Sequence, residues 1–270
     1  MEALTLLAFV DWNVEPEIFS IGPFTVRWYG LLFALGFFVG QFIMAHIYRL
    51  EGKPESDLEK LMVYMIVSTV VGARLGHCLF YQPDYYLAHP IDILKVWEGG
   101  LASHGATIGI LLGLWLYTRK RPNQPYLWLL DRIVIVVALG GGFIRLGNLM
   151  NSEIIGKPTD VPWAFIFHKV DELPRHPAQL YEAISCFLLF GALYFSYHQT
   201  KAQTPTGRLF GLFVWVLFSL RIFYEFFKEN QVPFEEGLPL NMGQMLSIPL
   251  VIAGLWIYIR SFLPTKPTTA

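Results

Sequence analysis

Long apolar stretches separated by short polar segments dominate the chain. Within each stretch the apolar residues occur on every helical face and do not alternate with polar ones, which is not the pattern of a half-buried strand. Seven stretches are long enough to cross a bilayer, which takes roughly 17–25 residues per helix. We place the seven spans at Trp28–Tyr48, Leu58–Tyr81, Leu101–Thr118, Trp128–Asn148, Pro177–Tyr197, Gly207–Phe227 and Asn241–Ser261. Because the backbone must satisfy its own hydrogen bonds in lipid, these runs predict an all-α polytopic membrane protein with seven transmembrane helices.

The composition agrees with this class of protein. Of the 270 residues, 54% are apolar and only 15% are charged, whereas a soluble domain carries roughly 25% charged residues. The net charge of −1 provides no basic surface for nucleic acid. Two cysteines in apolar runs are too few for a disulfide framework or a metal cluster. We therefore expect residues 1–270 to form a single integral membrane domain, with Met1–Val10 as a short interfacial helix rather than a signal peptide.

Basic residues are unevenly distributed between the two alternating sets of connections. One set, which includes the segment around Arg119 and the segment after Arg260, contains ten Lys or Arg, and the other set contains six. By the positive-inside rule, the N-terminus is outside and the C-terminus is cytoplasmic. The long connection 149–176 is then an external loop, as is 82–100. We expect functional groups near this outer side.

We single out five of the charged residues inside the predicted spans, because a charge near the bilayer centre costs at least ~2.5 kcal/mol. Such residues are functional candidates, although a structural ion pair or a side chain reaching the interface explains Arg74 and Glu182 equally well. Arg221 and Glu225 are four residues apart on one helical face and can pair. The five are Arg74, Arg145, Glu182, Arg221 and Glu225.

Two polar patches stand at the outer ends of spans. In the first, at residues 99–106, glycines flank His104 and permit close approach of other backbone or a ligand. A single histidine in such a place is more often a hydrogen-bonding residue than a catalyst. The second patch, at residues 140–156, combines glycines with an arginine, two asparagines and a glutamate. Helix packing explains the glycines but not the polar set.

These segments together resemble the bacterial prolipoprotein diacylglyceryl transferase family, whose central signature runs Arg-x-Gly-Asn-Phe-x-Asn-x-Glu-x-x-Gly. The chain departs from that family at Leu149, where Phe is usual, and at Ile144, where Gly is common. The resemblance runs from about residue 19 to residue 260. The matching segments are Arg27-Trp28-Tyr29-Gly30, Gly72-Ala73-Arg74-Leu75-Gly76, His104-Gly105, Arg145-Leu-Gly147-Asn148-Leu149-Met-Asn151-Ser-Glu153-Ile-Ile-Gly156, His176-Pro177-Ala178-Gln179-Leu180-Tyr181-Glu182 and Arg221-Ile-Phe-Tyr-Glu225-Phe-Phe.

The resemblance implies the first step of lipoprotein maturation. The family moves the sn-1,2-diacylglyceryl group of phosphatidylglycerol to the lipobox cysteine thiol of a preprolipoprotein and releases glycerol phosphate. Its members work in the bilayer of the bacterial cytoplasmic (inner) membrane, on the outer side, without a metal or an organic cofactor. We expect the same substrates, location and chemistry here.

The resemblance also assigns site residues position by position. His104, Arg145 and Arg221 are implied to be catalytic, with His104 either the base for the thiol or an orienting, hydrogen-bonding group. The arginines suit the phosphate because guanidinium forks match its oxygens. The residues implied to bind substrate are Tyr29, Asn148, Asn151, Glu153, Gly156 and Glu225.

A polytopic membrane transporter is the main alternative, because it also combines several spans, buried charges and glycine-broken helices. A transporter predicts charges at mid-membrane and internal repeats, whereas no repeat is visible in the sequence and the polar patches gather at one side. An intramembrane hydrolase would need its own nucleophile and base or a metal motif. Neither His-Glu-x-x-His nor Gly-x-Ser-x-Gly occurs.

Overall fold

A computed structural model of the chain describes residues 9–22, 24–96, 99–229 and 240–263. A helix stands at each of the seven predicted segments, with ends shifted by a few residues, and a further short helix lies in the connection 82–100. The helices are α1 Trp28–Leu50, α2 Glu55–Phe80, α3 Pro83–Ala88, α4 Ser103–Arg119, α5 Tyr126–Met150, α6 Ala178–Thr200, α7 Arg208–Tyr224 and α8 Met242–Arg260. Residues 1–8, most of the expected interfacial helix, lie outside the described residues.

Five of these helices are long and apolar enough to cross a membrane: α1, α2, α5, α6 with its short extension, and α8. Helices α4 and α7 have 17 residues each. Large apolar side chains such as Phe38, Leu188 and Ile252 are exposed on the helices. Such a surface is costly in water but suits lipid. The protein is therefore mostly helical, with several apolar helices, as expected for a helical membrane protein.

Short strands, which the helical pattern did not predict, flank the helices. Strand β1 pairs in parallel with β4, and β4 pairs antiparallel with β5. Strands β2 and β3 form an antiparallel hairpin immediately before α1. The strands are β1 Val10–Trp12, β2 Glu17–Ile21, β3 Phe24–Arg27, β4 Phe165–Phe167 and β5 Pro174–Arg175.

The chain divides into two compact units, of which one comprises residues 44–130. In this unit α2 packs closely against α4 because glycines face each other. A Cβ atom on Gly105 would lie 2.6 Å from the Cα of Gly76, so only glycine permits this approach. At the other end of α4, Tyr117 donates a hydrogen bond to the Gln124 side chain at 2.8 Å. Gln124 in turn donates to Asp57 at 2.8 Å.

The second unit comprises residues 1–43 and 131–270. Asp131 on α5 accepts hydrogen bonds from the backbone N–H groups of Gly207 and Phe210, at 2.7 and 2.9 Å. It thereby satisfies donors at the first turn of α7, which a helix cannot satisfy internally. Asp131 and the adjacent Arg132 are fully buried. The sequence analysis did not single out this charged pair.

The connection 149–176 is ordered around a small apolar core. Phe165 and Phe167 pack there with Leu149, whose carbonyl accepts a 3.0 Å hydrogen bond from the Trp12 indole. In the same connection, the Arg175 guanidinium holds the pKa of Asp171 below its usual value through direct hydrogen bonds. These contacts fix the chain immediately after α5, where the candidate site begins.

Candidate active site at the end of α5

Four of the predicted site residues meet where α5 ends. The Arg145 side chain donates to the Asn148 side chain through Nη1, at 3.4 Å. Asn148 and Asn151 each donate from their amide nitrogen to the Glu153 carboxylate, at 3.2 and 2.9 Å. The Glu153 carboxylate therefore orients the side-chain amides of both asparagines. The oxygen atoms of these two amides point away from the carboxylate.

The backbone of this turn is unusual. Ser152 and Ile154 both have positive φ angles, 53° and 57°, a conformation that residues with a Cβ seldom adopt. The completely buried Gln179 on α6 helps to hold the turn by donating its amide to the backbone carbonyl of Glu153. Sequence reasoning did not assign Gln179 a role, although it stands three residues before Glu182 in the matched segment.

Buried acceptor atoms surround the turn. Within the part of the chain that the structure describes, Asn151 Oδ1, Ser152 Oγ and Gln179 Oε1 are buried and have no hydrogen-bond partner. A buried polar atom without a partner costs free energy, so such atoms favour a donor from water or a ligand. A ligand rich in hydroxyl groups fits this requirement.

Gly156 makes a close approach between two backbone segments. Its N–H donates to the His176 carbonyl at 3.0 Å, and it forms an isolated antiparallel bridge with Lys228. A Cβ at residue 156 would lie 2.6 Å from the Cβ of His176 and 2.9 Å from the carbonyl oxygen of Phe227. Close packing of the backbone therefore explains why the signature has glycine at residue 156.

We expect Gly156→Ala to lower the thermal unfolding midpoint of the detergent-solubilised protein, because overpacking of this kind costs about 1–3 kcal/mol. Gly191→Ala is the matched control, since nothing lies within 4 Å of a Cβ added there. Alanine favours helix over glycine, so the control should be neutral or slightly stabilising. Equal midpoints for the two variants would contradict the close approach at Gly156.

Arg145 and Arg221 lie at the two ends of a chain of five charged side chains. Arg145 Nε lies 2.6 Å from Glu182 Oε2, and Arg221 Nε lies 3.8 Å from Glu225 Oε1. The predicted pairing of Arg221 with Glu225 is therefore confirmed. Lys228 joins the two halves, with its Nζ 2.5 Å from Glu182 Oε1 and 3.2 Å from Glu225 Oε1. We call this set, in spatial order Arg145, Glu182, Lys228, Glu225 and Arg221, the five-charge chain.

Accessibility differs sharply along the five-charge chain. The side chains of Arg145 and Arg221 are 28% and 47% exposed, whereas that of Lys228 is 4% exposed. With three cations and two carboxylates, the set has a net charge of +1. In both ion pairs the arginine faces the carboxylate through Nε, and the Arg221 side chain remains 47% exposed. Two cationic ends are therefore open to an anion.

Sequence reasoning missed Lys228. It treated this residue only as one basic residue in a connection, although its spacing from Glu225 is that of a helical ion pair. Glu182 was recognised as a charge inside a span, and its contacts with Arg145 and Lys228 favour the ion-pair explanation.

Tyr29 opens α1 and packs against α5. A Cβ added to Gly147 would lie 2.8 Å from Cδ2 of the Tyr29 ring. Tyr29 therefore lies beside the other predicted site residues of this unit.

His104 belongs to the other compact unit, residues 44–130. It lies in the first turn of α4 and is exposed, and its ring contacts those of Phe80 and Tyr81, with centroids 5.3 and 5.8 Å apart. Of the glycines that flank His104, Gly105 permits a close approach of α4 to α2. The imidazole is therefore left accessible on the surface of its unit.

Arg74 has a structural environment in that unit. It is buried, and its guanidinium donates to the backbone carbonyls of Asp92, Ile93 and Gly99, at 2.6, 3.0 and 2.6 Å. Arg74 thus holds the connection 82–100 rather than facing a ligand.

No cluster of three or more His, Cys, Asp or Glu suited to a metal ion occurs in the described ranges.

Comparison with known proteins gives one consistent result. A family model described as prolipoprotein diacylglyceryl transferase matches residues 16–260. A phosphatidylglycerol–prolipoprotein diacylglyceryl transferase of Chloroherpeton thalassium is 53% identical over 94% of this chain and 95% of its own length. Proteins of the same name from Tolumonas auensis and Bacteroides fragilis are 53% and 47% identical, each over 93% of this chain and 96% and 95% of their own lengths. The chain belongs to the prolipoprotein diacylglyceryl transferase family.

Proposed function

We propose that this protein transfers the sn-1,2-diacylglyceryl group of phosphatidylglycerol to the lipobox cysteine thiol of preprolipoproteins. The observation that carries the proposal is the pair of accessible arginines at the ends of the five-charge chain, beside amides and unpartnered acceptors. Cations suit the phosphate of the lipid, and acceptors suit the two hydroxyl groups of its glycerol head. Family membership favours this reaction over the transporter alternative.

The bond changes explain why two cations are useful. The cysteine thiolate forms a C–S bond with the glyceryl carbon that bears the phosphate. The C–O bond at that carbon breaks, and glycerol phosphate leaves with the electron pair. A phosphodiester with one negative charge thereby becomes a monoester with nearly two. Arg145 and Arg221 therefore bind the transition state more strongly than the ground state, which lowers the barrier.

The thiol proton must be removed, because a free cysteine has a pKa of ~8.5 and only a few per cent is thiolate at neutral pH. His104 suits this task, since an imidazole within reach of the thiol can act as a general base. Its exposed position on α4 supports access by a substrate peptide. The enzyme supplies no nucleophile of its own, so Cys78 and Cys186, which are both buried, need no role.

We further propose that all seven long helices cross the bacterial inner membrane as one integral membrane domain, with the N-terminus and the connection 149–176 outside. The uneven distribution of Lys and Arg supports this orientation. The acyl chains then remain in lipid while the head group is held near the outer interface. Lifting the chains into water would cost ~0.8 kcal/mol per CH₂, so the site needs a lateral opening to the bilayer.

Topology is tested by reporter fusions. Fusions at Lys120 and Lys201 should report the cytoplasm, and fusions at Lys95 and Lys169 should report the external side, because the positive-inside rule assigns the connections in this way. Paired reporters that are active on opposite sides control for expression. A reversed pattern would place the site on the wrong side for preprolipoproteins and contradict the proposal.

The function is tested with purified protein, phosphatidylglycerol in detergent micelles and a synthetic lipobox peptide. Mass spectrometry of the peptide should show the gain of one diacylglyceryl group, and this gain should be absent when serine replaces the peptide cysteine. Phosphatidylethanolamine serves as the control lipid, because its ammonium group is disfavoured beside a cationic site. An unmodified cysteine peptide would refute the proposed function.

A further inference from the structure

Lys228 lies at the centre of the five-charge chain and is its most buried member. Its ammonium group contacts Glu182 and Glu225, the two carboxylates that also contact the arginines. A buried ammonium is tolerated only when it is well paired, and here two carboxylates share it. The lysine is therefore directed toward the groups that orient the arginines and away from the open surface.

The backbone holds Lys228 in this place. The bridge between Gly156 and Lys228 is flanked by a 2.8 Å hydrogen bond from the Lys157 N–H to the Phe227 carbonyl. The turn that follows α5 and the segment that follows α7 are thus joined beside the site. Because residue 156 is glycine, the two segments approach closely enough for this pairing.

We propose that Lys228 is a positioning residue for the transfer reaction: it holds Glu182 and Glu225 so that each orients one arginine toward the phosphate. This inference rests on the proposed function. Without the ammonium, two cations and two carboxylates remain, and the net charge falls from +1 to zero. Each carboxylate then interacts more strongly with its own arginine, and both arginines become less available to the anionic lipid.

The charge between the two carboxylates separates this role from simple structural support. The charged groups around Lys228 are Glu182 and Arg145 on one side and Glu225 and Arg221 on the other, with Asn241 donating to Glu225 at 3.0 Å. A different cation at residue 228 keeps both carboxylates paired, whereas a neutral side chain of similar length does not. Activity should therefore follow the charge at residue 228.

The test compares purified Lys228→Gln and Lys228→Arg with wild type in the peptide transfer assay. Lys157→Gln is the matched control, because Lys157 is exposed and donates to the backbone carbonyl of Phe226. We expect Lys228→Gln to lose ~10²-fold in kcat/KM, the usual effect of displacing catalytic groups by about 1 Å. Lys228→Arg, which keeps a cation between Glu182 and Glu225, should recover at least ~10-fold of that loss. Lys157→Gln should match wild type.

A folded Lys228→Gln protein as active as Lys157→Gln would overturn the inference. So would a loss in Lys228→Gln that Lys228→Arg shares in full. If Lys228→Gln does not fold, the folded Lys228→Arg protein decides: activity within ~10-fold of wild type supports the inference, and an inactive protein overturns it. An inactive wild type would instead contradict the proposed function itself.

Discussion

Arg145→Lys is expected to remove most diacylglyceryl transfer while the protein stays folded. The substitution keeps the positive charge, but one ammonium group cannot contact Glu182, Asn148 and a phosphate in the geometry that the guanidinium provides. We expect kcat/KM to fall by ~10²–10³-fold, the usual effect of losing a preorganised contact to developing negative charge. The measurement is the initial rate of peptide modification over a range of phosphatidylglycerol concentrations.

Arg119→Lys is the control for Arg145→Lys, because Arg119 is exposed at the end of α4 and stacks on Trp115. Arg221→Lys should behave like Arg145→Lys, since Arg221 is the other accessible end of the five-charge chain. Glu225→Gln should lower kcat/KM by less than Arg221→Lys does if Glu225 only orients the arginine. Near-normal turnover by folded Arg145→Lys would show that two-pronged phosphate contact is not required.

His104→Gln should slow transfer by ~10²–10⁴-fold, the usual contribution of general base catalysis. Lipid affinity should be nearly unchanged, because in the proposed site the head group is held by Arg145, Arg221 and the amides of Asn148 and Asn151. Raising the pH toward the thiol pKa should partly rescue the variant, since solvent then supplies the thiolate that the missing base no longer makes.

The measurement is the rate of His104→Gln relative to wild type between about pH 6.5 and 9.5, together with lipid binding. His89→Gln is the control, because His89 is exposed and its ring interacts with the Tyr85 carbonyl. A rate ratio that stays flat with pH would favour an orienting role for His104. Loss of lipid binding would instead indicate that His104 helps to bind the lipid head group.

The helices could be predicted because long apolar runs carry a strong signal over many residues. All seven segments are helical in the structure, and five meet the length and hydropathy needed to span a membrane. Strands of two to five residues, such as Pro174–Arg175, are too short to show a periodicity. Their pairing depends on partners far away in the chain, as for Val10 with Phe165.

The site was predictable where its residues are close in the sequence. Arg145, Asn148 and Glu153 lie within nine consecutive residues, and the structure brings them together. Gln179 and Lys228 come from other segments, and their roles depend on contacts across the fold. Asp131 was missed for a different reason, since a single carboxylate hardly lowers the mean hydropathy of an apolar helix.

The central claim is tested most directly by following both parts of the lipid. Phosphatidylglycerol labelled in the glycerol carbons of its diacylglyceryl group and, with a second isotope, in its head-group glycerol is incubated with the protein and the lipobox peptide. The account predicts that the diacylglyceryl label enters the peptide and remains there after mild base removes the ester-linked acyl chains, because a thioether holds the glyceryl carbon, while an equal amount of the head label appears as glycerol phosphate. Free glycerol as the released product, or a modified peptide without the diacylglyceryl glycerol label, would contradict it.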